Sequence, residues 1–234
     1  MKKETIKLRI LLSWSGGKDA CLSFGKLRKE GHEVVCLLTT ASREIGRTFG
    51  HGEKRDMIRA QSEVLDTPIH FIEVDMDTYT DCFIRDVLIL KEKYRADAIA
   101  FGDLYLQEHR DWGEDVAAKT GLEALYPLWM EKKDALENLH RFIESGYRAM
   151  VIRTIKDEKL EKWLGRTIDW EFAKEIANMD ICPMGEAGEY HTFVYDGPLF
   201  SKKIELNQRE IAEYETTKRV EFESFSLAEK QKGK

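Results

Sequence analysis

The chain has 234 residues, 42% of them hydrophobic and 34% charged, with a formal net charge of −6. That allows one large domain, or a domain with a smaller lobe, around a sizeable core. It excludes several classes: no apolar run reaches the roughly 20 residues that span a bilayer, the acidic balance speaks against a general nucleic-acid binder, and Cys21, Cys36, Cys82 and Cys182 form no CxxC that would signal a disulfide framework or a zinc site.

In chain order, Met1-Lys2-Lys3-Glu4 has charge but no apolar segment behind it, so no signal peptide is expected and the cytosol is the expected compartment. Lys7 to Trp14 reads as a buried strand. Asp19 to Glu30 reads as a helix, with Ala20, Phe24 and Leu27 on one face and Gly31 placed to stop it. Glu33 to Thr40 is a second strand, Ala41 to Gly52 a glycine-bearing loop, Glu53 to Leu65 a helix and Ile69 to Val74 a third strand. A helix over Thr80 to Tyr94, a strand over Ala96 to Phe101 and a helix over Trp112 to Thr120 follow. Strand and helix alternate as parallel strands with crossovers require, which predicts a doubly wound α/β sheet for residues 1–127.

Beyond Pro127 the alternation loosens. Helices are expected over Lys133 to Ser145, Glu158 to Leu164 and Trp170 to Asn178, with strands at Arg148 to Thr154 and His191 to Tyr195. A loop rich in glycine and glutamate, Cys182 to Glu189, lies between. These residues read as a smaller α+β lobe over 128–227 that binds the substrate, and 228–234 as a frayed tail. The basic cluster Arg43, Arg47, Lys54, Arg55 and Arg59 reads as solvated charge on a loop and a helix face.

The strongest chemical signal is Ser15-Gly16-Gly17-Lys18-Asp19, between the first strand and the first helix. Glycines there let backbone N–H groups approach an anion, and the following helix directs its positive end at it. Ser15 adds a hydroxyl and Lys18 a charge, while Asp19 caps the helix or helps to hold Mg²⁺. Neither GxxxxGK[ST] nor GxGxxG is present. A second ligand-edge stretch follows the fourth strand, Phe101-Gly102-Asp103-Leu104-Tyr105, and then His109-Arg110-Asp111-Trp112. Later come Gly185-Glu186-Ala187-Gly188-Glu189-Tyr190-His191-Thr192 and Asp196-Gly197-Pro198-Leu199-Phe200. Two carboxylates and an imidazole in a glycine-hinged loop can bind a cation and manage protons.

SGGKD resembles the PP-loop of N-type ATP pyrophosphatases, with Ala20 where Ser or Thr is usual. The later motifs, with Pro127-Leu128-Trp129, resemble the GExGEYHT…DGP signature of the diphthine–ammonia ligase family. The resemblance runs over about residues 8–200. It implies ATP with Mg²⁺ as cofactors, ATP cleavage to AMP and pyrophosphate, and amidation of an adenylated carboxylate by free ammonium. It implies ATP contacts at Ser13, Ser15, Gly16, Gly17, Lys18, Asp19, Thr39, Thr40, His51, Gly102 and Asp103. Lys18, Glu186, Glu189 and His191 would be catalytic, and Tyr105, Arg110, Trp112, Trp129 and Tyr190 would meet the acceptor. The implied partner is elongation factor 2 carrying diphthine, whose quaternary cation suits aromatic faces. The metal ligands stay unassigned, and a homodimer stays open. The Ala41 to Gly52 loop is expected to order over the nucleotide. Rival readings are a PP-loop enzyme acting on a tRNA base or a small carboxylate, and a non-enzymatic adenine-nucleotide sensor.

Overall fold

The computed structural model describes residues 6–230. The chain divides into two compact units, the first formed by residues up to Ser15 and Asp19–Trp129, the second by Gly16–Lys18 with the residues from Met130. No helix among the described residues is long and apolar enough to cross a membrane.

The first unit is a doubly wound parallel sheet. Its strands are β1 (Arg9–Ser13), β2 (Glu33–Ser42), β3 (Ile69–Val74), β4 (Ala98–Ala100) and β5 (Glu123–Leu125), in the order β3-β2-β1-β4-β5. The neighbouring pairs are all parallel. The crossovers are α1 (Lys18–Lys29), α2 (Arg55–Val64), α3 (Tyr79–Tyr94) and α4 (Gln107–Thr120). Parallel strands are covered on both faces, and β1 accordingly buries Ile10, Leu11 and Leu12 completely. Leu11, Leu38, Ile72, Val87, Ile99 and Val116 share one core, each such side chain contributing about 1.5–3 kcal/mol on burial. Ala20, Phe24 and Leu27 are the buried residues of α1, as their spacing requires. Gly121 closes α4 in the left-handed region at φ 63°.

Several boundaries differ from the sequence reading. The fourth strand shrinks to Ala98–Ala100, β2 runs on to Ser42, and α4 starts five residues before Trp112, at Gln107. The first turn of α4, Gln107-Glu108-His109-Arg110, carries no apolar residue, so periodicity gave no sign of it. The Ala41–Gly52 segment is hydrogen-bonded to itself and to β2: Ser42 N–H donates to Arg47 at 2.9 Å, Phe49 N–H to Thr40 at 3.0 Å and Thr48 N–H to Glu53 at 3.0 Å.

The second unit carries α5 (Ala135–Glu144), β6 (Arg148–Ile155), α6 (Glu158–Glu161), α7 (Trp170–Ile176), β7 (Tyr190–Asp196), β8 (Lys202–Glu213) and β9 (Thr217–Glu229). Its sheet has the order β7-β6-β9-β8 with antiparallel neighbours. Side-chain caps start both short helices: Asp157 accepts from Lys159 N–H at 2.8 Å and Asp169 from Phe172 N–H at 2.9 Å. The expected tail is shorter than read, because Ala228 and Glu229 complete β9; residues 231–234 lie outside the described residues.

Candidate active site

In the first unit, a cavity of about 410 Å³ opens beside the ends of β1 and β2. Its lining includes Ser13, Ser15, Thr39, Thr40, Phe49 and Tyr79. The location follows from topology: in an open parallel sheet, ligands collect beyond the strands' carboxyl ends. The volume falls in the usual range for a small-molecule site. Its floor is rigid. Trp14 N–H donates to Leu38 at 2.7 Å, Thr39 Oγ1 donates to the Trp14 carbonyl at 2.6 Å, and the Trp14 indole donates to Gln61 at 3.0 Å.

Of the residues expected around ATP, Ser13, Ser15, Thr39 and Thr40 line this cavity. His51, Gly102 and Asp103 stand outside its lining, although Gly50, next to His51, belongs to it. Phe49 and Tyr79 were not anticipated. They meet edge to face with centroids 5.5 Å apart, and the Tyr79 hydroxyl lies 3.4 Å from Thr40 Oγ1. Burial raises the Tyr79 pKa, the Thr40 bond opposes that rise and the Asp103 charge adds to it, so the phenol stays neutral. Tyr79 opens α3 just past the ligand edge of β3, a position that could have marked it.

Gly102 approaches the start of α1. A Cβ there would come within 3.5 Å of Ala20 N and 3.7 Å of Asp19 Cβ. Asp103 Oδ1 lies 3.0 Å from His109 Nδ1. Ala20 is buried.

The residues expected to face the acceptor take varied places. Trp112 is wedged among Tyr79, Phe83 and Phe101, and its indole N–H donates to Thr80 at 3.1 Å. Trp129 already has a cation on its ring: the Arg110 guanidinium sits 4.8 Å from its centroid and 5.2 Å from that of Tyr126. Tyr105 is half-buried. Tyr190 is a core residue, stacked edge to face on Phe172 at 5.2 Å, with its hydroxyl donated to the Pro183 carbonyl at 2.6 Å.

Gly16, Gly17 and Lys18 group with the second unit. Val194 N–H donates to the Gly16 carbonyl at 2.9 Å, and Lys18 N–H donates to Thr192 Oγ1 at 3.0 Å. The buried Lys18 ammonium stands 4.8 Å from the Tyr190 ring centroid. Tyr190 therefore offers its face to a lysine of this chain, whereas the sequence reading gave that face to the acceptor's cation. Gly185, at φ 67°, fits beneath Tyr190, where a Cβ would stand 2.8 Å from the ring.

The glutamate loop is held by one of its own acids. Glu189 accepts from Cys182 N–H through one carboxylate oxygen and from Ala187 N–H through the other, both at 3.0 Å. That is the bonding of a loop brace, where the sequence reading assigned acid–base work. Glu186 and His191 are half-buried. In the Asp196-Gly197-Pro198 stretch, a Cβ on Gly197 would lie 1.9 Å from the Tyr147 ring, so packing accounts for this glycine.

The basic cluster of the first unit is largely neutralised. Arg43 pairs with Asp75 at 2.9 Å, Arg55 with Glu73 at 2.7 Å and Arg59 with Asp56 at 2.6 Å. The four cysteines are free and buried.

Comparison with known proteins gives a consistent picture. The family model for the diphthamide synthase N-terminal domain matches residues 8–124, and that for the C-terminal domain matches residues 134–227. A human protein named diphthine–ammonia ligase is 29% identical over 87% of this chain and 85% of its own length. A Schizosaccharomyces pombe protein of the same name is 26% identical over 88% of this chain and 37% of its own length. A zebrafish (Danio rerio) protein, also so named, is 28% identical over 87% of this chain and 88% of its own length.

Proposed function

Because this chain belongs to the diphthamide synthase family, we propose that it is an ATP-dependent ligase that adenylates the carboxylate of diphthine and amidates it with ammonia. The observation that carries the reading is the cavity of about 410 Å³ at the ligand edge of β1 and β2, directly before the SGGKD loop. It suits a purine nucleotide whose phosphates reach Gly16, Gly17 and Lys18. A tRNA-base acceptor and a nucleotide sensor are not favoured, since the relatives bear a ligase name.

In the first step a carboxylate oxygen of the acceptor bonds to the α-phosphorus, and the bond from that phosphorus to the bridging oxygen of pyrophosphate breaks. In the second, ammonia bonds to the acyl carbon and AMP leaves with the electron pair of the acyl–oxygen bond. Lys18 and the backbone N–H groups of Gly16 and Gly17 stabilise charge on the departing pyrophosphate. Glu186 and His191 take the two protons that the nitrogen loses, one as ammonium becomes the attacking ammonia and one as the adduct collapses to the amide. Glu189 holds the loop that presents them. Asp19, next to the SGGK run, and Asp103, just past Gly102, carry oxygen donors of the type Mg²⁺ takes, and the ion would neutralise phosphate charge when bound with ATP. Elongation factor 2 carrying diphthine is the acceptor in this reading, and the cytosol is the compartment.

The test is a turnover assay with α-labelled ATP, ammonium and elongation factor 2 bearing diphthine. AMP, pyrophosphate and amide should appear in equal amounts, with AMP release dependent on the acceptor. ADP and phosphate as the products would sink the reading.

A further inference from the structure

β7 lies at one edge of the four-stranded sheet of the second unit, so its outer side is open to a neighbouring segment. The loop Gly16–Lys18, which belongs to the same unit, meets it. Val194 N–H donates to the Gly16 carbonyl at 2.9 Å. Tyr190 and Thr192, two residues apart in the strand, project to one face, and both reach Lys18. The Tyr190 ring centroid is 4.8 Å from the ammonium, and Thr192 Oγ1 accepts the Lys18 N–H at 3.0 Å. Lys18 opens α1, so its N–H is one of the donors that a helix cannot satisfy from within. A strand far along the chain supplies the acceptor.

Thr192 does only half of what a hydroxyl can do. Its oxygen has lone pairs that accept and one proton to donate. The Lys18 N–H occupies a lone pair, while among the described residues no group accepts the proton. The side chain is 1% exposed, so water does not take that place by default. Buried hydroxyls as a rule find partners. This one stands at the loop expected to hold phosphate. The first turn of α1, Lys18-Asp19-Ala20-Cys21, brings no hydroxyl of its own there.

We propose that Thr192 is a phosphate-binding residue: it accepts from Lys18 N–H and donates its proton to an oxygen of the pyrophosphate group of ATP. The resulting chain runs from the loop N–H through the hydroxyl to the phosphate oxygen, and each bond polarises the next. A hydroxyl donating to an anion makes one of the stronger hydrogen bonds. Lys18 N–H thereby acts on the phosphate through Thr192. The identity of the anion rests on the ATP-dependent reading above; the unspent proton rests on the hydrogen bonding of β7.

The test uses the full chain with inorganic pyrophosphate, ATP and adenosine as probes, adenosine having the base and sugar but no phosphate. Thr192→Val removes the hydroxyl at nearly the same volume. It should weaken pyrophosphate and ATP by about tenfold or more and leave adenosine within about twofold, whereas Thr192→Ser should stay within about threefold of the wild type for all three. Proton NMR supplies the signature that a mere helix cap would lack. With pyrophosphate at saturation, the Thr192 hydroxyl proton should move downfield and couple to ³¹P across the hydrogen bond. The proton is assigned through the Thr192 methyl group, so this readout needs no variant and stands if the valine protein does not fold. No coupling at saturation, unchanged pyrophosphate affinity in Thr192→Val, or an equal loss for adenosine overturns the proposal. Amidation of diphthine without the coupling removes the proposal and keeps the ligase reading. The coupling in a protein that does not amidate diphthine keeps the role of Thr192 and removes that reading alone.

Discussion

Replacing Glu189 by Gln separates bracing from chemistry. Both oxygens of the native carboxylate accept backbone N–H groups, from Cys182 and Ala187, at 3.0 Å each. A glutamine offers one oxygen and one NH₂, so one backbone donor must face another donor. Hydrogen bonds to a charged group contribute about 1.5–3 kcal/mol each. One is lost and the other becomes neutral, roughly halving it. The Cys182 side is partly buried, whereas the Ala187 N–H is exposed and water can replace its partner. The net destabilisation is therefore about 2 kcal/mol, at the lower end of that sum. In a protein of this size that lowers Tm by about 4–8 °C. Differential scanning calorimetry measures it directly, beside an ATP titration and a turnover assay on the same sample. Glu189→Asp should also lose stability, since the shorter side chain cannot span both donors. A glutamine variant melting within about 1 °C of the wild type while losing turnover would refute the brace and put the carboxylate in the chemistry.

Further predictions concern the first unit. The bond from Arg55 holds the Glu73 carboxyl below the ordinary glutamate range, with burial opposing it. This pair should therefore stabilise the fold above the unfolded glutamate pKa of about 4.3 and lose that effect as pH falls through the lower native value. Glu73→Gln should flatten the acid limb of the stability–pH curve, and an unchanged limb would count against the pairing. Burial pushes the Cys36 thiol up to about 11, and burial with the Asp19 charge raises that of Cys21. Iodoacetamide at neutral pH should leave both unmodified in the native protein and alkylate them in denaturant, as peptide mass spectrometry would report. Gly113→Ala would place a Cβ 2.3 Å from the Tyr126 hydroxyl and 3.0 Å from the Phe101 ring. Helix propensity alone favours alanine by about 1 kcal/mol, but overpacking of about 1–3 kcal/mol should prevail. A variant with raised Tm would mean that Tyr126 yields without cost.

The first unit was legible because its signals are redundant. β1 is buried on both faces, so its apolar run is continuous, and the glycines at its end mark the ligand edge. Ala20, Phe24 and Leu27 gave α1 its period, and Gly31 its stop. β8 and β9 were not read because they lack the apolar alternation of a buried face. In Lys202–Glu213 the buried hydrophobic is Ile204 and in Thr217–Glu229 they are Val220 and Phe222, while charged residues occupy both faces. Their turn, Tyr214-Glu215-Thr216, has no glycine, asparagine or proline to announce it, and it is closed by Tyr214 N–H on Thr217 at 2.8 Å. Such charge suits an exposed edge strand, which must not pair with another chain.

The candidate residues divide along the same line. That Ser13, Ser15, Thr39 and Thr40 meet at one cavity was legible because strand ends in a parallel sheet converge whatever the details of packing. The roles of Tyr190, Trp129 and Glu189 were not, because each depends on a partner far away in sequence or on a backbone group. The Tyr190 ring lies under Lys18, the Trp129 ring under Arg110, and the Glu189 carboxylate on two N–H groups of its own loop. Both aromatic faces thus already hold a cation of the chain itself. A quaternary ammonium must displace Arg110 to reach Trp129, so one cation–π contact of about 0.5–2 kcal/mol is given up for each one gained. The trimethylammonium end of diphthine therefore gains little from these rings, each of which already holds a cation of the chain.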